Sequence, residues 1–304
     1  MEGNTMEKPA IGFIGLGLMG SAMVQRLLDC GYSLTVLGHR DRAGVESAVA
    51  RGATEAANAR ELAAASDIVM ACMGTSTQVE ERMLGADGAF AGLKPGAVVI
   101  DFGTSLPAST RALGAAAKAA GATYLDAPLG RTPSHGREGK LNIMCSGDET
   151  AFARVKPVLA DLGENVFHLG AAGSGHTIKL INNFVGMTMA AAISEAFAMA
   201  DATGIDREKL YGVMAAGPLH SGMMDFVKAY AVDGDPDKLA FAIRNARKDV
   251  GYYIRMAEEA GAASLMAGGA KLLLDLADAA GHGGNTVPQL VDAVTALTRP
   301  EKQH

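Results

Sequence analysis

Three glycines, Gly15, Gly17 and Gly20, stand at G-x-G-x-x-G spacing directly after the apolar run Ala10–Gly15 and ahead of a helical pattern over Ser21–Asp29. The spacing alone is weak, but its position between a strand and a helix is the context the motif needs. The first glycine permits a tight turn, the second lets a ligand approach the backbone, and the third lets helix and strand pack closely. A helix N-terminus placed there offers N–H groups and the positive end of its dipole to an anion. The segment Gly15, Leu16, Gly17, Leu18, Met19 and Gly20 therefore reads as a cradle for the pyrophosphate of a dinucleotide.

The rest of the first half supports this. Apolar runs at Leu34–Leu37, Ile68–Cys72, Val98–Phe102, Thr123–Asp126, Leu141–Cys145 and Val166–Leu169 read as strands, and Val79–Leu84, Ala108–Ala120 and Thr150–Leu162 as helices between them. Continuous apolar strands alternating with helices predict a mostly parallel, doubly wound sheet covered on both faces. From His176 onward the pattern is helical: Thr177–Thr203, Arg207–Ala215, Ser221–Ala231, Leu239–Ala260, Ser264–Ala280 and Val287–Leu297. Gly204, Gly217, Gly234, Gly261 and Gly281 fall at the breaks, where left-handed caps are expected. The 304 residues suit two domains. The boundary is placed in the Gly170–Gly175 run, giving a dinucleotide-binding domain over 1–172 and an all-helical domain for substrate and dimerisation over 173–304.

Bulk properties exclude several classes. A net charge of −6 without a Lys/Arg cluster argues against nucleic acid as a partner. Cys30, Cys72 and Cys145 form no disulfide or zinc pattern, and His168, His176 and His282 lack ligand spacing, so no metal is expected. The N-terminus has no signal-peptide pattern. The most apolar long segment, Leu180–Met199, contains Asn182, Asn183 and Glu195, so no membrane span is read and a cytoplasmic location is expected. Ala-rich helical halves often bury their faces against a second copy, which predicts a homodimer or homotetramer.

The end of the second strand bears on the cofactor. Leu37-Gly38-His39-Arg40 has no carboxylate before Asp41 to hold a ribose 2′-hydroxyl, whereas Arg40 with His39 can pair with a 2′-phosphate. NADP(H) is therefore expected to be preferred, with NAD(H) possible should Asp41 turn back. Met73, Thr75 and Thr104 follow strand ends on the same side and are candidates for ribose or nicotinamide contact.

With these residues in view, the chain resembles the β-hydroxyacid dehydrogenase family from Ile11 to about Leu297. The resemblance rests on Gly12-Phe13-Ile14-Gly15-Leu16-Gly17-Leu18-Met19-Gly20, on Asp126-Ala127-Pro128, on Gly175-His176-Thr177-Ile178-Lys179-Leu180-Ile181-Asn182-Asn183, and on Lys248-Asp249. It implies an α/β Rossmann domain joined by a long helix to an all-α C-terminal domain. It also implies an NAD(P)-dependent oxidoreductase acting on CH–OH groups, and a place for Lys248 near the nicotinamide. Where most members carry Ser-Gly-Gly, this chain has Gly130-Arg131-Thr132, a variant similar to the sulfolactaldehyde reductases, in which these residues receive the sulfonate. The family's Ser before Thr104 is Gly103 here, and His220 has no assigned counterpart.

The residues fit that chemistry. Lys179 lies in a mostly apolar helix, where desolvation favours a proton-exchanging amine, and is the candidate general acid. Asn183, four residues on, shares its face and can orient Lys179 or a substrate oxygen, while Asn182 is turned away. The Arg131 guanidinium can grip a carboxylate, sulfonate or phosphate, Gly130 and Thr132 flank it, and His135 and Arg137 read as a solvated loop. The substrate is expected to be a small acid-bearing aldehyde or its hydroxy acid, with 3-sulfolactaldehyde the sharpest choice. The alternatives are a 3-hydroxyisobutyrate-type dehydrogenase, a tartronate or succinate semialdehyde reductase, an imine reductase, and a non-catalytic dinucleotide-binding reader.

Overall fold

The computed structural model of the chain describes residues 8–38 and 41–298. The chain divides into two compact units, Met1–Lys179 and Leu180–His304.

In the first unit β1 (Ile11–Ile14), β2 (Leu34–Leu37), β3 (Thr54–Ala56), β4 (Ile68–Ala71), β5 (Val98–Asp101) and β6 (Thr123–Asp126) form one sheet in the order β3-β2-β1-β4-β5-β6. Every pairing is parallel. Helices α1 (Leu18–Asp29), α2 (Ala43–Ala50), α3 (Ala59–Ala64), α4 (Ser76–Leu84) and α5 (Pro107–Ala119) connect the strands. Side chains alternate across each strand, and in the central strands β1, β4 and β5 both sets are buried. Ile11 and Phe13 of β1 join one core with Met70 and Ile100, while Ile14 joins a second with Val69, Val99 and Leu62. A sheet buried on both faces explains why its strands read as unbroken apolar runs. The strand order reverses between β1 and β4, which places a crevice beyond their C-terminal ends, at Gly15 and Cys72.

The two later strands do not extend this sheet. β7 (Leu129–Gly130), β8 (Leu141–Cys145) and β9 (Gly163–His168) form a separate sheet, antiparallel between β7 and β8 and parallel between β8 and β9. Between them lie α6 (Pro133–Arg137) and α7 (Glu149–Leu162). α8 (Ser174–Thr203) starts three residues before the predicted helix and continues into the second unit.

That unit is helical: α9 (Arg207–Ala215), α10 (Gly222–Ala231), α11 (Ile243–Glu259), α12 (Ala267–Ala279) and α13 (Leu290–Thr298) surround a core that includes Phe197, Val227, Ile243, Val250, Leu274 and Leu290. The helix expected from Leu239 begins only at Ile243, because Ala242 is extended and bridges Thr286. Gly204, Gly234, Gly261 and Gly281 are left-handed as expected, but Gly217 is not. α9 instead ends at Ala216 in right-handed geometry. By length and composition alone α8 is long and apolar enough to cross a membrane, but half of its most apolar stretch is buried within the protein, as in a core helix.

Candidate active site

The glycine turn is built as its spacing requires. Gly15 has φ +96°, and a Cβ there would strike the Cys72 carbonyl oxygen. A Cβ at Gly20 would strike the Gly15 carbonyl oxygen, whereas one at Gly17 would meet nothing within 4 Å. The first and third glycines are thus fixed by close packing, and the second faces open space. Gly17 caps α1 without a side chain, and the first turn holds no acidic residue. The turn opens on a cavity of about 690 Å³ lined by Gly15, Leu16 and Gly17, by Gly38 and Asp41 after β2, by Met73 after β4, and by Gln78, Glu81 and Arg82 of α4. An uncapped helix start, a glycine with room beside it and a cavity of this size fit a dinucleotide and its phosphates. Gly20→Ala is expected to weaken cofactor binding more than tenfold and to lower the melting temperature, checked by fluorescence titration and thermal denaturation.

Other parts of the cradle serve the fold. Leu18 is exposed, and Met19 packs against the core. Thr75 caps α4, its hydroxyl oxygen accepting the Gln78 N–H at 3.2 Å. Thr104 lies in the turn after β5, which is shaped by Asp101: the carboxylate accepts the Gly103 N–H at 2.8 Å and the Ser105 hydroxyl at 2.9 Å. A Cβ at Gly103 would come within 3.0 Å of the Asp101 carboxylate and the Met73 carbonyl oxygen, which accounts for glycine at that position. Gln78, Glu81 and Arg82 were not singled out from sequence, although their i, i+3, i+4 spacing places them on one face of α4.

After β2, His39 and Arg40 fall outside the described residues. Asp41 accepts the Ala43 N–H at 3.0 Å while lining the cavity. Arg42 donates two bonds to Glu55, at 2.6 and 2.9 Å, and this pairing holds the Glu55 carboxyl below its usual range.

Gly130 ends β7 and pairs with Asn142. Among the described residues, Arg131 is the one non-glycine residue with positive φ, at 75°. Its Nη1 donates to the Lys140 carbonyl at 2.7 Å and pairs with Glu164 at 2.5 Å. The Thr132 hydroxyl lies 2.7 Å from the Ser134 hydroxyl and 2.7 Å from His135 Nδ1. The sequence reading left His135 and Arg137 in a solvated loop. They belong to α6, and His135 supports Thr132.

Lys179 is half-buried on α8. Asn183, buried one turn later, donates its amide to Asp249 at 2.6 Å, and the Lys248 ammonium lies 3.0 Å from the other oxygen of that carboxylate. This directs the Asn183 nitrogen to Asp249, while its oxygen accepts the Asn182 amide at 3.4 Å. Asn182 is exposed. His220 forms an exposed pair with Asp225 at 2.9 Å. Among the described residues, no group of three or more His, Cys, Asp or Glu could hold a metal.

Residues 10–170 match the family model for the NAD binding domain of 6-phosphogluconate dehydrogenase. Residues 173–294 match the model for the NAD-binding domain of NADP-dependent 3-hydroxyisobutyrate dehydrogenase. The chain belongs to the β-hydroxyacid dehydrogenase family. This β-hydroxyacid dehydrogenase is 34% identical over 235 residues to a probable 3-hydroxyisobutyrate dehydrogenase-like protein of Arabidopsis thaliana, covering 77% of this chain and 73% of that one. It is 32% identical over 277 residues to a 3-sulfolactaldehyde reductase of Escherichia coli, covering 90% and 92%. In structure it is similar to a 3-hydroxyisobutyrate dehydrogenase of Mycobacterium tuberculosis solved with L-serine, with TM-score 0.84 and 25% identity over 96% of this chain and 100% of that one. The enzyme is an NAD(P)-dependent oxidoreductase acting on hydroxyl groups of small molecules.

Proposed function

We propose that the enzyme reduces a small aldehyde bearing an acid group, 3-sulfolactaldehyde in the first instance, to its hydroxy acid with NADPH. Gly130-Arg131-Thr132 hold the anion, Lys179 protonates the forming alkoxide, and Asn183 orients the lysine. The cofactor, when bound, supplies the hydride. The Lys179 ammonium gives its proton to the carbonyl oxygen as negative charge develops there, and the neutral amine is reprotonated from solvent. With its nitrogen on Asp249, the Asn183 oxygen is the acceptor end of the amide; its one long contact with Asn182 leaves a second lone pair, and an ammonium can only donate. Lys248 serves indirectly by holding the Asp249 carboxylate that fixes Asn183.

The observation that carries the substrate reading is Arg131. A left-handed backbone costs a residue with a Cβ roughly 1–2 kcal/mol relative to glycine, so an arginine kept there supports a task for its side chain. Its contacts with the Lys140 carbonyl and with Glu164 both use Nη1, and the Nε/Nη2 edge offers a fork for an oxyanion. The pairing with Glu164 favours a second reading: with the guanidinium so engaged, the loop's backbone N–H groups hold a carboxylate, as a tartronate semialdehyde or 3-hydroxyisobutyrate enzyme would need.

The test follows NADPH and NADH absorbance with sulfolactaldehyde and with tartronate, methylmalonate and succinate semialdehydes. Turnover confined to sulfolactaldehyde, with kcat/KM at least tenfold higher for NADPH, is the expected result. Preferred turnover of a carboxylate aldehyde would replace the substrate reading with the second, and a clear NADH preference would overturn the role of Arg40. The enzyme is proposed to act as a homodimer or homotetramer in the cytoplasm.

A further inference from the structure

Asp126 is the last residue of β6, and the substrate loop leaves the sheet directly after it. Its carboxylate is fully buried and belongs to none of the groups assigned above. One oxygen accepts the Ser146 hydroxyl at 2.6 Å and the Gly173 N–H at 2.8 Å, and the other accepts the His176 N–H at 2.9 Å. The Ser146 oxygen in turn accepts the Gly175 N–H at 3.0 Å. The N–H groups of Gly173, Gly175 and His176 at the head of α8 are therefore met by a carboxylate and a hydroxyl from elsewhere in the chain.

The arrangement is tight and charge-matched. Asp126 and Ser146 also exchange two backbone hydrogen bonds, at 3.2 and 2.7 Å. A Cβ on Gly175 would strike the Met144 carbonyl oxygen and come within 2.9 Å of the Asp126 carboxylate, so α8 enters against bare backbone. A buried anion at a helix N-terminus sits where the dipole favours it. One residue further along, the buried His176 ring fixes the other side of the same turn. The Thr110 hydroxyl lies 2.7 Å from His176 Nδ1 and 3.3 Å from the Leu106 carbonyl oxygen. Lys179 follows His176 by three residues, within the first two turns of α8.

We infer that Asp126, through Ser146 and the head of α8, is a positioning residue for Lys179. It ties the root of the substrate loop and the proton donor to one buried carboxylate, so that the anion of the substrate and the acid keep a fixed separation. Holding a donor within a fraction of an ångström of its acceptor matters because a displacement of about 1 Å can cost around a hundredfold in rate. This inference rests on Lys179 being the acid, and the experiment separates the two.

Ser146→Ala and Asp126→Asn are compared with the parent, alone and combined with Lys179→Ala. The readouts are kcat, aldehyde KM, NADPH affinity by fluorescence, and the kinetic isotope effect with 4-deuterated NADPH. Ser146→Ala is expected to fold, to bind NADPH within about twofold of the parent, to lose about 10- to 100-fold in kcat, and to show a raised isotope effect because the chemical step has slowed. Asp126→Asn is expected to lose more; should it fail to fold, Ser146→Ala carries the test alone. In the Lys179→Ala background Ser146→Ala is expected to have no further effect, as for residues acting as a unit. An unchanged kcat and isotope effect in Ser146→Ala, or an equal loss with and without Lys179, overturns the positioning role. Parental turnover in Lys179→Ala would instead overturn the reading of Lys179.

Discussion

Lys179→Ala is expected to bind NADPH as tightly as the parent and to lose about a thousandfold in kcat, within the range a positioned general acid contributes. The loss should fall on kcat and kcat/KM alike, because the proton moves only in the transition state. Lys179→Arg should be nearly as poor, since a guanidinium keeps its charge but does not release its proton near neutral pH. Added primary amines should restore part of the rate in Lys179→Ala and none in Lys179→Arg, where the space is filled. Steady-state assays and a fluorescence titration of NADPH decide the matter. A variant that no longer binds NADPH would make Lys179 a structural residue of α8.

Arg131→Gly is expected to separate stability from specificity. Glycine relieves the left-handed backbone, while the lost pair with the half-exposed Glu164 is worth about 0–1 kcal/mol. The melting temperature should therefore hold or rise slightly. In contrast, kcat/KM for sulfolactaldehyde should fall at least about a hundredfold, the scale of a lost charge-assisted, bidentate contact. Carboxylate aldehydes held by backbone N–H groups should lose less than tenfold. Equal losses for both substrate types would assign the arginine to the shape of the loop, and no loss for either would remove it from the site.

Much of the fold was legible because burial on both sides leaves a plain mark: β1, β4 and β5 are unbroken apolar runs ending in glycine, cysteine or aspartate. What was missed lies where that mark fades. β3 is an edge strand, Thr-Glu-Ala, with two exposed residues, and the flanking α2 and α3 are short and Ala-rich. β7 has only two residues, so nothing in its own sequence reveals the antiparallel pairing that starts the second sheet. The cofactor turn was legible because close packing demands glycine at Gly15 and Gly20. The roles of Asp126, Ser146 and His176 were not, because those residues lie 20 to 50 positions apart and meet only once the strands are assembled. A buried carboxylate that accepts backbone N–H groups leaves no periodic trace in a sequence. Arg131 was visible as a charge, but its backbone conformation and its partner Glu164 were not.

The passage from one compact unit to the other falls inside α8, between Lys179 and Leu180. This has a consequence for recombining halves of related enzymes. A crossover made in the glycine stretch hands the recipient a foreign lysine on a foreign helix start, divorced from the Asp126 and Ser146 that hold it. A crossover just after Lys179 keeps the proposed acid, its buried anchor, the proposed anion loop and the glycine turn together as one inheritable cassette, and passes Asn183, Lys248 and Asp249 as another. The second junction falls inside α8, so the two parental segments have to continue one helical register.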